Sequence, residues 1–437
     1  MNKVQIIIIS FSVIIVIVAL LTFAFKDPPP DVQISTQSGQ LVIWGIDPIT
    51  AFEPVFKTYE GENRVRIVYV EKDARAFDKE ILEALASQQP PDLVMVPDSW
   101  IRNNKDKIAP PKPSIINVDL AKQSVVELAA SLLIEEKIVA GELQKTIWGL
   151  PLWLDPLVLF WNKDMFEQTS PEPIAKPPED WDVFLQDSKK MTLLGDGKQV
   201  VRAGAALGRA QNIPLYKEIL SLLLLQLGAD IEGSMYTGAS KEKTDSALSA
   251  IRFYTDFGNP NTAPGGAYSW NARMPAPRAL FAEGKLGMMI DLYSFARELK
   301  IKNPHLVFDI APAPQVRERK RVNYAHIRAI TVPRTSKNQD AAWVLAKWLA
   351  STAQVEKILK AQSAAPAIRE LLEGDKTTGL LKTASLTARR PLETYPDTNS
   401  RILKDLIESV ADGKAPTEAL FEASDAYNIF LKSRKSQ

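Results

Sequence analysis

The order of apolar and polar positions gives the chain three textures. The first is a predominantly apolar run, Val4 to Phe25, with no charge inside it and Lys3 and Lys26 at its ends. A helix needs about 20 such residues to cross a bilayer, so residues 1–26 read as one N-terminal transmembrane helix. Thr22 and Ala24 offer a small-residue cleavage point, which leaves a removable signal peptide as the competing reading. Residues 27–40, rich in Pro, Ser and Gln, read as a stiff polar spacer.

The second texture alternates strand with helix. Leu41 to Trp44 is a buried strand stopped by Gly45. Thr50 and Glu53 stand at capping-box spacing, ahead of a helix that buries Phe52, Phe56 and Tyr59. The run RVRIVYV is a second strand, Phe77, Ile81 and Leu85 mark one face of a helix, and DLVMVPDSW is a third strand. Strands separated by helices imply right-handed crossovers and a mainly parallel sheet.

The third texture begins with TIWGLPLWLDPLVLFWNKDMF, a Trp- and Leu-rich segment followed by Pro171, Pro173, Pro177 and Pro178. IPLYKEILSLLLLQLGAD reads as a buried core helix ending at Gly228. Strand character returns in LGMMI, LVFDIAPAP and AHIRAITVP, and the last hundred or so residues are mostly helical.

Composition narrows the chemistry. With 53 Lys and Arg against 52 Asp and Glu, the formal charge is +1, so no global field draws the chain to nucleic acid. The absence of cysteine excludes disulfides, thiolate metal sites and a cysteine nucleophile, and two histidines exclude a histidine-rich metal site. No serine-hydrolase elbow, zinc-protease or phosphate-loop motif is present, so neither catalysis nor a cofactor or metal is expected. At 437 residues with 46% hydrophobic, the chain is long enough for two lobes.

Strand ends supply candidate ligand contacts, because open α/β sheets bind ligands beyond the carboxyl ends of their strands. Leu286 to Ile290 delivers Asp291, Tyr293 and Ser294 to such an end. Asp47 follows the first strand and Asp98 the third. Each aspartate, and Ser294, also reads as a helix cap or turn residue.

Four segments carry a family resemblance: WGLPLWLDPLVLFWNKDMF, PPEDWDVF, FAEGKLGMMIDLYSF and AITVPRTSKNQDAAWVLAKWLAS. In this order, across about residues 41–430, they resemble the family 1 extracellular solute-binding proteins, the maltose-binding-like receptors of ABC importers. The resemblance implies an α/β, two-lobed periplasmic-binding-protein-like fold (type II) that closes on its ligand. Residues 41–152 plus 281–335 would form lobe 1, and 153–280 plus 336–437 lobe 2. It also implies a polar ligand contact at Asp155, a small-molecule solute such as an oligosaccharide, and ABC permease subunits as partners. A sugar needs acceptors for its hydroxyls and flat rings for its C–H faces, which adds Trp153, Trp270 and Tyr324 to the candidates beside Tyr293. Trp161 and Trp181 occupy motif positions and read as structural. The resulting expectation is a solute receptor held outside the cytoplasm by Val4–Phe25. A ligand sensor for a partner membrane protein and an anchored glycan hydrolase, using a carboxylate pair such as Asp155 and Asp291, are the alternatives.

Overall fold

The computed structural model describes residues 39–435 except 88–89, 237–239, 262–265, 375–376 and 392. The expected membrane helix Val4–Phe25 and most of the spacer lie outside the described residues. No helix among the described residues is long and apolar enough to cross a membrane.

Eleven strands are described: β1 (Gln40–Gly45), β2 (Arg66–Glu71), β3 (Leu93–Pro97), β4 (Ile134–Val139), β5 (Glu142–Ile147), β6 (Leu150–Asn162), β7 (Leu193–Leu194), β8 (Val200–Ala205), β9 (Leu286–Leu292), β10 (Phe308–Pro312) and β11 (Ala325–Thr331). They belong to two compact units. Unit 1 takes residues up to Asp155 together with His326–Leu386; unit 2 takes Pro156–Ala325 and the residues from Thr387 onward.

In unit 1, β1 lies between β2 and β3 and runs parallel to both, the arrangement that strand–helix alternation implies. β11 adds antiparallel to β3, with Arg328 opposite Pro97. The inner positions of these strands are aliphatic, and the helix Glu53–Asn63 lays Val55, Phe56 and Tyr59 on them. The helix Gln339–Leu349 completes this core, with Trp343 donating its indole N–H to the Ala109 carbonyl at 2.7 Å. The capping box does not form. A short 3-10 turn, Ile49–Ala51, precedes Glu53, and no side chain caps either segment.

In unit 2, β9 runs antiparallel to the second half of β6, from Leu157 opposite Leu292 to Trp161 opposite Met288, and parallel to β8. β10 pairs with the other edge of β6. Phe160 on β6 meets Phe281 and Phe295 edge-on at 6.1 and 5.7 Å, while Trp181, Phe184, Phe253 and Phe257 form a second aromatic layer. The helix Tyr216–Gln226 is buried along Ile219–Leu224, as its apolar sequence requires.

The lobe boundaries differ from the expectation. Residues 281–325 belong to unit 2, because β9 pairs there with β6 and β8. Residues 336–386 belong to unit 1, because Trp343, Leu345 and Leu349 join its core. Helical texture alone does not say which core a C-terminal helix covers.

Candidate functional site

The carboxyl ends of β1 and β3 in unit 1 gather charge. Asp47 follows β1 and meets Arg328 of β11, with Oδ2 to Nε at 3.0 Å and Oδ1 to Nη2 at 3.5 Å. Tyr69 on β2 donates its hydroxyl to the Asp47 carbonyl at 2.6 Å. This hydroxyl occupies the space a Cβ on residue 45 would fill, so Gly45 is what lets the ring reach the loop. Burial pushes the Asp47 carboxyl above its ordinary value; Arg328 pulls it back and Glu71 adds to the rise. The Arg328 guanidinium lies 6.0 Å from the Trp153 ring, and Lys72 sits 3.8 Å from the centre of the half-buried Trp44 ring.

Two unit 1 candidates are structural instead. Asp98 is fully buried, accepts from the Ile327 N–H at 3.2 Å and faces Arg102 at 3.5 Å, so it braces β11 against the helix Asp98–Asn103. Trp153 is 5% exposed and stacks on Phe52 at 6.1 Å within the core. Asp155, the last residue of unit 1, is half-buried at the point where the chain leaves that unit along β6.

In unit 2 the end of β9 is organised around Asp291. Its carboxylate accepts two bonds from Arg278, from Nε at 2.8 Å and Nη2 at 2.7 Å, and a third from the Leu292 N–H at 2.7 Å. The Arg278 guanidinium lies over Phe295, 4.6 Å from the ring centre. Asp291 is 4% exposed, so its charge is spent on holding the guanidinium in place. Tyr293 is half-buried beside it and donates its backbone N–H to Pro156 at 2.9 Å; burial raises its phenol above the ordinary value. Ser294 is exposed and starts the helix Phe295–Lys302 in helical conformation, without a side-chain cap bond.

The remaining aromatic candidates offer little surface. Trp270 is fully buried, and its indole N–H goes to Asn212 Oδ1 at 3.0 Å, so it is a core residue rather than an open ring for a sugar face. Tyr324 is 2% exposed, with the Arg390 guanidinium 5.6 Å from its ring. A wide groove in unit 2, about 1300 Å3, lies elsewhere: Lys198, Arg209, Tyr268, Glu408 and Asp412 are among its lining, and none of the nine candidates is. No group of three or more His, Asp or Glu could hold a metal among the described residues.

Sequence reasoning missed Arg278, Arg328, Tyr69 and Trp44. A basic residue at Arg328, inside the apolar strand AHIRAITVP, was a readable signal, since a cation on a buried strand needs a partner. Nothing in the spacing from Arg278 to Asp291 announces their pairing.

A family model described as bacterial extracellular solute-binding protein matches residues 45–356. A putative binding protein of Brucella abortus is 22% identical over 350 residues, 78% of each chain. Among solved structures, the cyclic alpha-maltosyl-1,6-maltose binding protein from Arthrobacter globiformis is similar with TM-score 0.69 at 18% identity, over 90% of this chain and 99% of that one. The maltose/maltodextrin-binding domain from Bdellovibrio bacteriovorus bound to maltotriose gives 0.64 at 17%, over 90% and 100%. These structural likenesses establish the two-lobed α/β fold. The family match across most of the chain establishes more: this protein belongs to the bacterial extracellular solute-binding protein family.

Proposed function

We propose that the chain is a membrane-tethered receptor that binds a carbohydrate or similar polar solute outside the cytoplasm and delivers it to an ABC importer. The observation that carries this reading is the chemistry at the strand ends. Both β1 and β9 finish in charged and aromatic side chains, Asp47 with Arg328 and Tyr69, Arg278 with Asp291 and Tyr293, at the carboxyl ends where open α/β sheets bind their ligands. Guanidinium groups fixed by carboxylates can donate to hydroxyl oxygens, and ring faces can accept sugar C–H surfaces. Asp155, Tyr293 and Ser294 are proposed as further contacts. The structural relatives, one bound to maltotriose and one a cyclic alpha-maltosyl-1,6-maltose binding protein, support the carbohydrate class. Val4–Phe25 is the proposed tether, in a chain with no cysteine for lipid attachment. ATP hydrolysis falls to the permease's partner subunits, since no phosphate loop is present.

A melting-curve screen of the purified chain against neutral oligosaccharides, polyols, sugar phosphates and peptides tests the proposal. A ligand at 100 times its Kd stabilises the native state by about 2.7 kcal/mol. An upward shift with oligosaccharides is the expected result. A shift with peptides alone overturns the carbohydrate assignment.

A further inference from the structure

After β10 the chain makes a tight turn, Val316-Arg317-Glu318-Arg319-Lys320-Arg321-Val322, with Glu318 in the left-handed region at φ 57°. Its base is firmly held. The Val322 N–H donates to Gln315 Oε1 at 3.0 Å, and the Gln315 backbone bonds to Glu179 and Trp181. The buried Gln226 amide donates to the carbonyls of Pro314 and Val322, at 3.0 and 3.1 Å, and accepts from the Trp181 indole at 2.7 Å. Arg317 is fixed by Asp180 at 2.8 Å. The tip is treated differently. Arg319, Lys320 and Arg321 are all exposed and make no ion pair or hydrogen bond with the described residues. Arg321 also borders a cavity of about 360 Å3 together with Lys176, Pro177 and Pro178.

We propose that this turn docks on the anionic headgroups of a lipid bilayer. A near-neutral chain that concentrates three such cations at the end of a firmly held base has a local field without a global one. The rigid base removes much of the ordering entropy that a mobile basic loop would lose on binding. The inference rests on the tether reading, because the spacer between Lys26 and Gln40 reaches at most about 50 Å when extended and keeps the domain beside a membrane. The turn carries no aromatic ring on which nucleic-acid bases could stack.

The full chain contains no cysteine, so Val316→Cys takes a single fluorophore. The labelled chain is reconstituted in vesicles of phosphatidylcholine, with or without phosphatidylglycerol, containing headgroup-nitroxide lipid. Quenching is expected with phosphatidylglycerol only, and is expected to vanish at high salt. The triple variant Arg319→Gln, Lys320→Gln, Arg321→Gln should reduce the docked-to-free ratio roughly 100-fold, three cations at about 1 kcal/mol each, with an unchanged melting curve. Equal quenching in neutral and anionic vesicles, as a turn reserved for a protein partner would give, overturns the inference. Co-flotation with neutral vesicles reads the tether separately. If the chain does not float there, the tether reading fails, and co-flotation with phosphatidylglycerol vesicles alone still decides the turn.

Discussion

Arg278 and Asp291 show how single side chains set the chemistry at the end of β9. The carboxylate is buried and the guanidinium side chain is 39% exposed, so the pair turns an acid on a strand end into a rigid cation facing outward. Arg278→Met strands the buried charge. We expect a loss of about 2 kcal/mol in urea unfolding, less than the roughly 3–5 kcal/mol of a fully enclosed pair because Arg278 keeps contact with water. Adding Asp291→Asn to that variant should recover part of the loss, and strictly additive costs would show that the two do not act as a pair. Asp187 is a second residue with a measurable consequence. It is 3% exposed, its Oδ2 has no hydrogen-bond partner among the described residues, and burial raises it from 3.8 to about 6 against the pull of Lys190. The folded chain therefore keeps a proton that the unfolded chain releases between about pH 4 and pH 6. Stability from this group falls as pH rises through that window and is level above it. Asp187→Asn should flatten the slope and raise the urea midpoint above pH 6; an unchanged pH profile would contradict the assignment. At this scale the sequence was least legible. Asp291, Asp98 and Trp270 were visible as polar or aromatic residues in suggestive places. Whether each faces ligand, brace or core depends on Arg278, Ile327 and Asn212, which lie 13 to 229 positions away along the chain.

Elements were far more legible, because their signals are local. The alternation in β2, the aliphatic run of β3 and the leucine-rich helix Tyr216–Gln226 each announce themselves within ten or so residues. The failure at Thr50 has a physical cause: Thr50 lies inside the 3-10 turn Ile49–Ala51, and Phe52 holds the N-cap position of the helix that starts at Glu53. Close packing between elements leaves weaker marks. Gly204 in β8 passes so near the helix Trp181–Met191 that a Cβ would collide with the Ser188 carbonyl. Gly204→Ala should cost about 3 kcal/mol, since backbone cannot yield as a flexible side chain does. A midpoint within experimental error of the parent would show that the helix can shift outward at no cost.

For the whole molecule, two-unit architecture and family membership were readable from four dispersed segments, whereas the assignment of segments to units was not. β9 and the helix Gln339–Leu349 carry the same textures as elements of either unit, and only pairing with β6 or packing on Trp343's neighbours assigns them. The tether proposal makes its own prediction: deleting residues 1–26 should leave the melting curve unchanged and abolish co-flotation with neutral vesicles, and retained flotation would place the membrane contact elsewhere. The most direct test of the account is titration calorimetry of the chain and of Asp155→Ala with neutral oligosaccharides. Saturable binding to the parent is expected, weakened at least tenfold in the variant with its melting temperature preserved, as loss of about 1.4 kcal/mol or more of contact requires. No heat of binding with any oligosaccharide, alongside clear binding of a peptide, would contradict it.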